Sequence, residues 1–204
     1  MDRDPESARD PVRRPDALVR LALVFYAALG GVALAWRSGL QGESLWLAGP
    51  EAEIRWLRDP LLGALAAALV ILLSGILTRH TRAGELLARR LAEAIGPLAP
   101  WQGWVLAFAS GLAEEAFFRG ALQPVVGLVA ASVLFAAAHL VPRRDWLLWS
   151  AFSLAAGLLL GGLARATGNL VAPVVAHVLV NGVNLNRLVR EYAGPRRSPG
   201  GLPD

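Results

Sequence analysis

Two adjacent glutamates lie inside an apolar stretch of this chain, and an arginine follows one helical turn later: Glu114, Glu115 and Arg119. The other seven Glu and all seven Asp fall in segments that we expect to be loops or tails. A carboxylate at membrane depth is costly to bury, so it usually marks a functional site whose partners can be named. The glutamate pair is therefore the first candidate for chemistry.

Glu115 and Arg119 are four residues apart, so on a helix they share a face, with the acid in the favourable N-terminal position. An ion pair offsets part of the cost of burying either charge. Glu114 points about 100° away on the same helix. Without a counter-charge it is free to accept a proton from water, which is the task of a general base. The alternative is that both acids neutralise arginines elsewhere, although two carboxylates exceed the single arginine nearby.

A histidine closes the fourth apolar segment, and its distance from a glycine turn relates it to the glutamates. Glu114 and His139 each lie twelve to thirteen residues from Val126-Gly127, where glycine favours a turn. Helices running antiparallel from that turn would bring both residues about 19 Å back from it, to one depth. We therefore expect Glu114 and His139 to meet, although a lone histidine near a membrane boundary more often has a structural role.

The last apolar run carries a second pair of polar residues with helical spacing. His177 and Asn181 share one helix face, while the three residues between them are apolar and point away. Such residues can simply join helices through hydrogen bonds. Together with the hairpin, however, they place Glu114, His139, His177 and Asn181 in one interior, and we predict that these four residues line one cavity.

The composition predicts a membrane protein. Hydrophobic residues make up 55% of the 204, charged residues 18%, and the mean hydropathy is +0.46. The absence of cysteine excludes disulfides, thiolate metal sites and a cysteine nucleophile. Zincin (HExxH) and nucleophile-elbow (GxSxG) motifs are missing, and no predicted span holds an aspartate for an aspartyl dyad. The basic residues, all arginine, flank apolar runs, which favours anionic lipid headgroups over nucleic acid as partners.

Six apolar segments predict the fold: an all-α, polytopic membrane helix bundle of about six transmembrane helices. They cover residues 18–36, 60–77, 98–126, 128–141, 146–164 and 169–185, the third and fourth forming one helical hairpin. Apolar residues every four positions in 82–95 predict an interfacial amphipathic helix. We divide the chain into a disordered cytoplasmic arm (1–17), two spans with the interfacial helix (18–97), a catalytic core (98–186) and a cytoplasmic tail (187–204).

Three motifs in the core resemble a known family. The chain reads EEAFFR at 114–119, FAAAH at 135–139 and HVLVN at 177–181. These match, in order, the EExxxR, FxxxH and HxxxN motifs of the CPBP family, the CAAX-protease and bacteriocin-processing intramembrane proteases, also called the Abi family. The resemblance covers roughly residues 100–186, and the ordered triple is far more specific than any one motif.

The resemblance implies hydrolysis of a peptide bond within or at the edge of the membrane. Glu114 would activate water, and His139 would position that water and relay protons. His177 and Asn181 would donate hydrogen bonds to the oxyanion. Glu115 and Arg119 would hold the site together, and Arg119 would also meet a substrate carboxylate.

Family members have been called metalloproteases, and a zinc ion held by Glu114, His139 and His177 is the alternative mechanism. We favour glutamate-activated water with no required cofactor, because asparagine is an unusual zinc ligand. The residues already supply a base and oxyanion donors.

The expected partners are membrane lipids and a membrane-associated protein or peptide substrate, with no nucleic acid. The all-arginine usage is typical of a GC-rich bacterial genome, so we expect the bacterial inner (cytoplasmic) membrane. A leader peptide, a membrane-anchored regulator and a small peptide all fit as substrates. A different class of function is a transporter or scaffold that uses the Glu/His set as a proton or cation site. A transporter of this kind would carry an internal repeat, and none is visible.

The arginine distribution predicts the topology. With both termini in the cytoplasm, fifteen of the twenty arginines lie inside and four outside, which satisfies the positive-inside rule. A single cysteine introduced at position 127 of this cysteine-free chain is expected to react with an impermeant thiol reagent added outside the cell. Reaction of that cysteine only from the cytoplasmic side would contradict the topology.

Overall fold

The computed structural model describes residues 15–141, 143 and 146–192. Seven α-helices account for most of them, which confirms the predicted all-α class. They are α1 (Pro15–Leu34), α2 (Arg58–His80), α3 (Arg82–Ile95), α4 (Pro100–Glu115), α5 (Gln123–Ala138), α6 (Leu147–Thr167) and α7 (Val171–Tyr192). Two π-helical segments, Ala35–Leu40 and Ala116–Leu122, extend α1 and join α4 to α5. In the described part, β-structure is limited to one antiparallel bridge between Leu47 and Asn169.

The distribution of side-chain sizes is that of a helical membrane bundle. Most of the buried apolar residues are alanines, whereas the exposed apolar residues are large ones such as Leu21, Phe25, Leu65 and Val129. Four helical stretches are long and apolar enough to cross a membrane, and the third, Pro100–Ala138, contains both helices of the predicted hairpin. Helix α7, which matches the sixth predicted span, falls below that hydropathy because it carries polar residues such as His177 and Asn181.

The hairpin turns at the glycine that the sequence indicated. Gly127 has φ +83° and ψ 167°, a conformation outside the helical region that glycine alone adopts easily. The chain then runs back along the π-helical segment, so that Phe118 and Phe135, equidistant from the turn, pack edge to face with ring centroids 5.1 Å apart. The predicted helical hairpin is confirmed.

Glycines allow the helices around this hairpin to approach closely. A Cβ atom at Gly63 of α2 would lie 2.4 Å from the Ala172 carbonyl oxygen of α7. A Cβ atom at Gly157 of α6 would lie 3.2 Å from the Ser132 backbone of α5. Gly157 and Gly161 were expected to form a small-residue packing surface, and both do so against the hairpin.

The amphipathic helix has the predicted bounds, but it is docked on the bundle through its smallest residues. Gly84, Ala88 and Ala92 are buried and recur every four positions. They face α2 and α7, the helices against which α3 packs. Leu87 and Leu91, from the predicted apolar face, line an apolar groove beside them.

The expectation that the acids outside the site fall in loops or tails is wrong for those that lie in helices: Asp16, Asp59, Glu85, Glu93 and Glu191. Asp59, in the first turn of α2, is also only 1% exposed. Its Oδ2 atom accepts hydrogen bonds from the Arg55 backbone N–H at 2.9 Å and from Asn169 Nδ2 at 2.7 Å. The burial of Asp59 was not predicted, because the partner at 169 lies 110 residues away in the sequence. The Asp59–Asn169 bond ties the start of α2 to the connection between α6 and α7.

Two predicted boundaries change. Helix α1 begins at Pro15, so residues 15–17 of the predicted arm are helical, and residues 1–14 lie outside the described part. Helix α7 continues to Tyr192. The first six residues of the predicted tail are therefore helical, and residues 193–204 lie outside the described part.

Residues Leu47, Gly127 and Gly168 line one cavity, so the three connections predicted to be outside share one end of the bundle. A cysteine at Gly127 would be strained by its positive φ. Gly49, whose Cβ position has no neighbour within 4 Å, is a better labelling position at the same end.

The glycine contacts generate a stability prediction. Gly63→Ala places a methyl group against the Ala172 carbonyl, so α2 and α7 must separate, at a cost of about 1–3 kcal/mol of unfolding free energy. Gly162→Ala in α6 is the matched control, because a Cβ there meets nothing within 4 Å. Its expected effect is neutral or stabilising by up to about 1 kcal/mol. Thermal melts of both variants in lipid nanodiscs provide the measurement, and equal melting temperatures would contradict the packing.

Candidate active site

The polar residues of the core come together where α4, its π-helical continuation, α5 and α7 meet. Helix α4 ends on the two glutamates, and the π-helical turn that follows widens the helix where Phe118 and Arg119 are presented. Single π turns inside α-helices often occur at functional sites. Helix α5 returns antiparallel and ends at His139, while α7 presents His177 from the opposite side.

Glu115 is the centre of the arrangement. Its side chain is fully buried, and its Oε1 atom accepts hydrogen bonds from Arg119 Nη1 at 3.2 Å and from His177 Nδ1 at 2.7 Å. The Arg119 pair is the one that the helical spacing predicted. The His177 bond crosses from α7 to α4 and was not predicted, since 62 residues separate the two side chains. One carboxylate thus joins the first motif to the third.

Arg119 bridges three parts of the core. Its Nη2 atom donates to the Gly157 carbonyl of α6 at 3.2 Å, and its guanidinium lies 4.4 Å from the centre of the Phe135 ring. It is 4% exposed. Arg119 also lines the cavity that Leu47, Gly127 and Gly168 share, and its expected contact with a substrate carboxylate stays a prediction.

The two histidines present the same kind of atom to Glu114. A carboxylate or carbonyl oxygen only accepts, so the Nδ1–H of His177 donates to Glu115 and the Nδ1–H of His139 donates to the Phe135 carbonyl at 2.8 Å. Each neutral ring therefore carries its free lone pair on Nε2. Glu114 Oε2 lies 3.7 Å from His139 Nε2 and 3.9 Å from His177 Nε2, as the hairpin geometry predicted.

These three atoms need a hydrogen-bond donor between them. Glu114 Oε2 is buried without a partner, and both facing nitrogens are acceptors when the rings are neutral. Glu114, Glu115 and Arg119 carry one surplus negative charge, which an additional proton on His139 or His177 would cancel. A water molecule can donate to Oε2 and to one nitrogen at once, and separations just beyond direct hydrogen bonding suit it.

Asn181 joins the site through a different partner. Its Nδ2 donates to the Ser110 hydroxyl on α4 at 3.1 Å, which leaves the second amide hydrogen free for another acceptor. Asn181, His139 and His177 line a cavity of about 80 Å³, large enough for water. Glu114 is not among the lining residues of that cavity. The prediction of one cavity for all four residues therefore holds for three of them. Glu114 lies outside the lining, although its Oε2 atom is within 4 Å of both histidine Nε2 atoms.

Sequence reasoning missed one further residue of the site. Ser110, one turn before Glu114 on the same face of α4, could have been noticed as a hydroxyl in an apolar run. Its hydroxyl accepts the hydrogen bond from Asn181 and so joins α4 to α7.

The donor set suits zinc chemically, since two imidazole lone pairs and a carboxylate oxygen converge from His139, His177 and Glu114. Ligand atoms about 2.0–2.2 Å from a tetrahedral zinc lie about 3.4 Å apart. The separations of 3.7 and 3.9 Å are a few tenths of an ångström wider. Among the described residues, no group of three or more His, Asp or Glu side chains has the arrangement of a metal site.

Comparison with known proteins agrees with the motifs. Residues 96–183 match the family model described as type II CAAX prenyl endopeptidase Rce1-like, which confirms the predicted family resemblance. A Bacillus subtilis (strain 168) protein, "Uncharacterized protein YpbD", is 44% identical over 71 residues. That alignment covers 35% of this chain and 37% of the relative, so the chain spans about a third of the curated relative it matches. No solved structure matches the chain.

The burial of Glu115 generates a prediction that separates the two glutamates. Glu115→Gln removes the counter-charge from buried Arg119, so we expect a loss of about 3–5 kcal/mol of stability together with activity. Glu114→Gln, which breaks no ion pair with arginine, is expected to fold normally. Thermal melts in nanodiscs check this, with Glu85→Gln as the control because its pair with Arg89 is half exposed. A melting temperature of Glu115→Gln equal to that of Glu85→Gln would contradict the structural role.

Proposed function

We propose that this chain, whose residues 96–183 match the type II CAAX prenyl endopeptidase family, is an intramembrane endopeptidase that uses glutamate-activated water. The observation that carries the proposal is the convergence of Glu114 Oε2, buried and without a partner, on the Nε2 atoms of His139 and His177. A carboxylate whose free oxygen lies 3.7 and 3.9 Å from two imidazole nitrogens forms an acid–base site that one bridging water would complete.

In the proposed reaction, Glu114 removes a proton from the bound water as the oxygen attacks the peptide carbonyl carbon. His139 keeps the water in place through Nε2, because its Nδ1 is fixed on the Phe135 carbonyl. The carbon–nitrogen bond then breaks, and the proton held by Glu114 passes, directly or through His139, to the leaving amine. Water and peptide give one carboxylate and one amine, and Glu114 returns to its starting state.

Two side chains of α7, Asn181 and His177, would donate hydrogen bonds to the oxyanion. The free N–H of Asn181 is one donor. The other is His177 in its doubly protonated form, because its Nδ1–H is already committed to Glu115 and only a protonated Nε2 can donate. Glu115 therefore acts indirectly, by holding an imidazolium where negative charge develops.

The substrate class that fits this setting is a membrane-associated protein or peptide. The cavity at His139, His177 and Asn181 lies within a bundle of apolar helices, so a substrate must approach along the membrane or from its edge. By the arginine distribution, we place the protein in a bacterial cytoplasmic membrane with both termini inside. A leader peptide, a membrane-anchored regulator or a small peptide would meet the site equally well.

The test is hydrolysis of internally quenched peptides, with and without an S-farnesyl cysteine, by the purified protein in lipid vesicles. Glu114→Gln keeps the size and hydrogen bonding of the side chain but removes the base, so cleavage is expected to fall by at least about 100-fold. Glu43→Gln is the matched control, because Glu43 is exposed and is not one of the site residues. This variant should cleave the peptides at the normal rate. Full activity of Glu114→Gln would overturn the mechanism and favour a transporter or scaffold that merely holds a proton or cation.

Chelation separates the two versions of the mechanism. A zinc ion held by Glu114, His139 and His177 would supply a bound hydroxide at neutral pH. With glutamate-activated water, 1,10-phenanthroline is expected to leave the cleavage rate within about twofold, because no metal takes part. Loss of cleavage that returns on addition of zinc would instead assign the activation of water to the metal.

A further inference from the structure

We propose that Ser110 of α4 is a positioning residue for Asn181: its hydroxyl holds the nitrogen end of the Asn181 amide and leaves the second N–H of that amide free for the oxyanion. The proposal rests on the proposed function in one respect, because it takes Asn181 to be an oxyanion donor. It adds to the site a residue that belongs to none of the three sequence motifs.

The first step is the geometry of the contact. Asn181 Nδ2 lies 3.1 Å from Ser110 Oγ, and Ser110 Oγ lies 3.2 Å from the Ala107 carbonyl oxygen of its own helix. Ser110 is 5% exposed, so water has little access to either bond. Asn181 lines the cavity of about 80 Å³ together with His139 and His177, whereas Ser110 is not among the residues that line it. Ser110 would therefore act on the reaction through Asn181.

The second step is the direction of the two hydrogen bonds. A hydroxyl has a single hydrogen, and Ser110 donates its hydrogen to the Ala107 carbonyl. Ser110 Oγ therefore accepts from Asn181, and the nitrogen end of the amide faces α4. If the amide turned by 180°, its oxygen would face Ser110 Oγ, and Ser110 would have to give up its bond to Ala107. The two bonds thus select one of the two amide orientations.

The third step is the effect of this orientation on the site. Rotation about the last bond of an asparagine side chain is broad, so without Ser110 the amide would turn between two orientations. One of them places the amide oxygen where the N–H should be, and an oxygen repels an oxyanion instead of donating to it. The amide is thus held ready only while Ser110 accepts its hydrogen bond.

The position of Ser110 also relates the oxyanion donor to the base. Ser110 precedes Glu114 by one turn of the same helix, a rise of about 6 Å. The helix that carries the proposed base therefore also fixes the amide that would bind the oxyanion. Because this contact orients groups for the chemical step, the Ser110 hydroxyl is expected to affect kcat more than KM.

The contact itself is tested without any activity assay. The chain has four asparagines, so labelling with asparagine that carries ¹⁵N in its side chain gives four NH2 signals in the purified protein. The signal that disappears in Asn181→Ala is that of Asn181. In Ser110→Ala, the bonded Asn181 hydrogen loses its acceptor, and we expect it to exchange with water about fivefold faster than in the wild-type protein.

Ser132→Ala is the matched control for this measurement. Ser132 is also buried, and its hydroxyl donates to the Leu128 carbonyl of its own helix, α5. Its removal should leave the exchange of the Asn181 hydrogens unchanged. An unchanged exchange rate in Ser110→Ala overturns the proposal, whether or not peptide cleavage is detected.

The positioning role is tested by kinetics on the quenched peptides. We expect Ser110→Ala to lower kcat by about 10-fold with KM within about twofold, whereas Asn181→Ala, which removes the donor itself, should lower kcat by about 100-fold. In an Asn181→Ala background, Ser110→Ala should change kcat by less than about twofold, because no amide is left to hold. Ser132→Ala should keep the normal kcat.

Two kinetic results would contradict the positioning role. A normal kcat in Ser110→Ala, with or without a lower melting temperature, overturns the proposal. An equal fall of kcat in the wild-type and Asn181→Ala backgrounds also overturns it, because Ser110 would then act independently of Asn181. If the wild-type protein cleaves none of the peptides, the proposed function fails, and the exchange rate alone decides whether Ser110 holds Asn181.

Discussion

A carboxylate with no exposure to solvent, Glu115, is the constraint on which the rest of the core depends. Burying a charge without compensation costs several kcal/mol, so its partners must be close and well aligned. Arg119 and His177 meet that requirement on Oε1. Arg119 lies on the same helical stretch, whereas His177 lies on α7, so the His177–Glu115 hydrogen bond fixes how α7 docks on α4.

The buried guanidinium of Arg119 also needs partners, and it finds them on two more helices, α6 and α5. Its second hydrogen bond goes to the backbone carbonyl of Gly157, which requires α6 to approach without an intervening side chain. Its flat face lies on Phe135 of α5, whose ring also packs beside His139 and His177. Small residues such as Gly157 and the ring of Phe135 thus allow five polar side chains to pack together in an apolar bundle. These are Glu114, Glu115, Arg119, His139 and His177. Membrane helices without a strong mutual hydrophobic drive associate through this kind of close packing.

Adjacent positions in the chain give the two glutamates different tasks because a helix turns about 100° per residue. Glu115 faces Arg119, and their buried ion pair holds its carboxylate in one orientation. Glu114 faces the two imidazoles, and its Oε2 atom has no hydrogen-bond partner. The bond from His177 to Glu115 also fixes the tautomer of His177. The neutral His177 ring therefore presents the lone pair of Nε2 to Glu114.

The sequence alone determined whatever depended on spacing within one element. Helical periodicity paired Glu115 with Arg119, the bounds of α3 followed from its apolar repeat, and symmetry about Gly127 brought His139 to Glu114. Each follows from the fixed rise and twist of a helix, which distant parts of the chain do not alter.

Tertiary structure alone decided the contacts that join elements far apart in the chain. It bound His177 to Glu115, Asn181 to Ser110 and Asp59 to Asn169. It also bound Arg119 to the Gly157 carbonyl of α6. These contacts depend on the rotation and depth at which whole helices dock. Packing over many residues sets that docking, so no local pattern in the sequence encodes it.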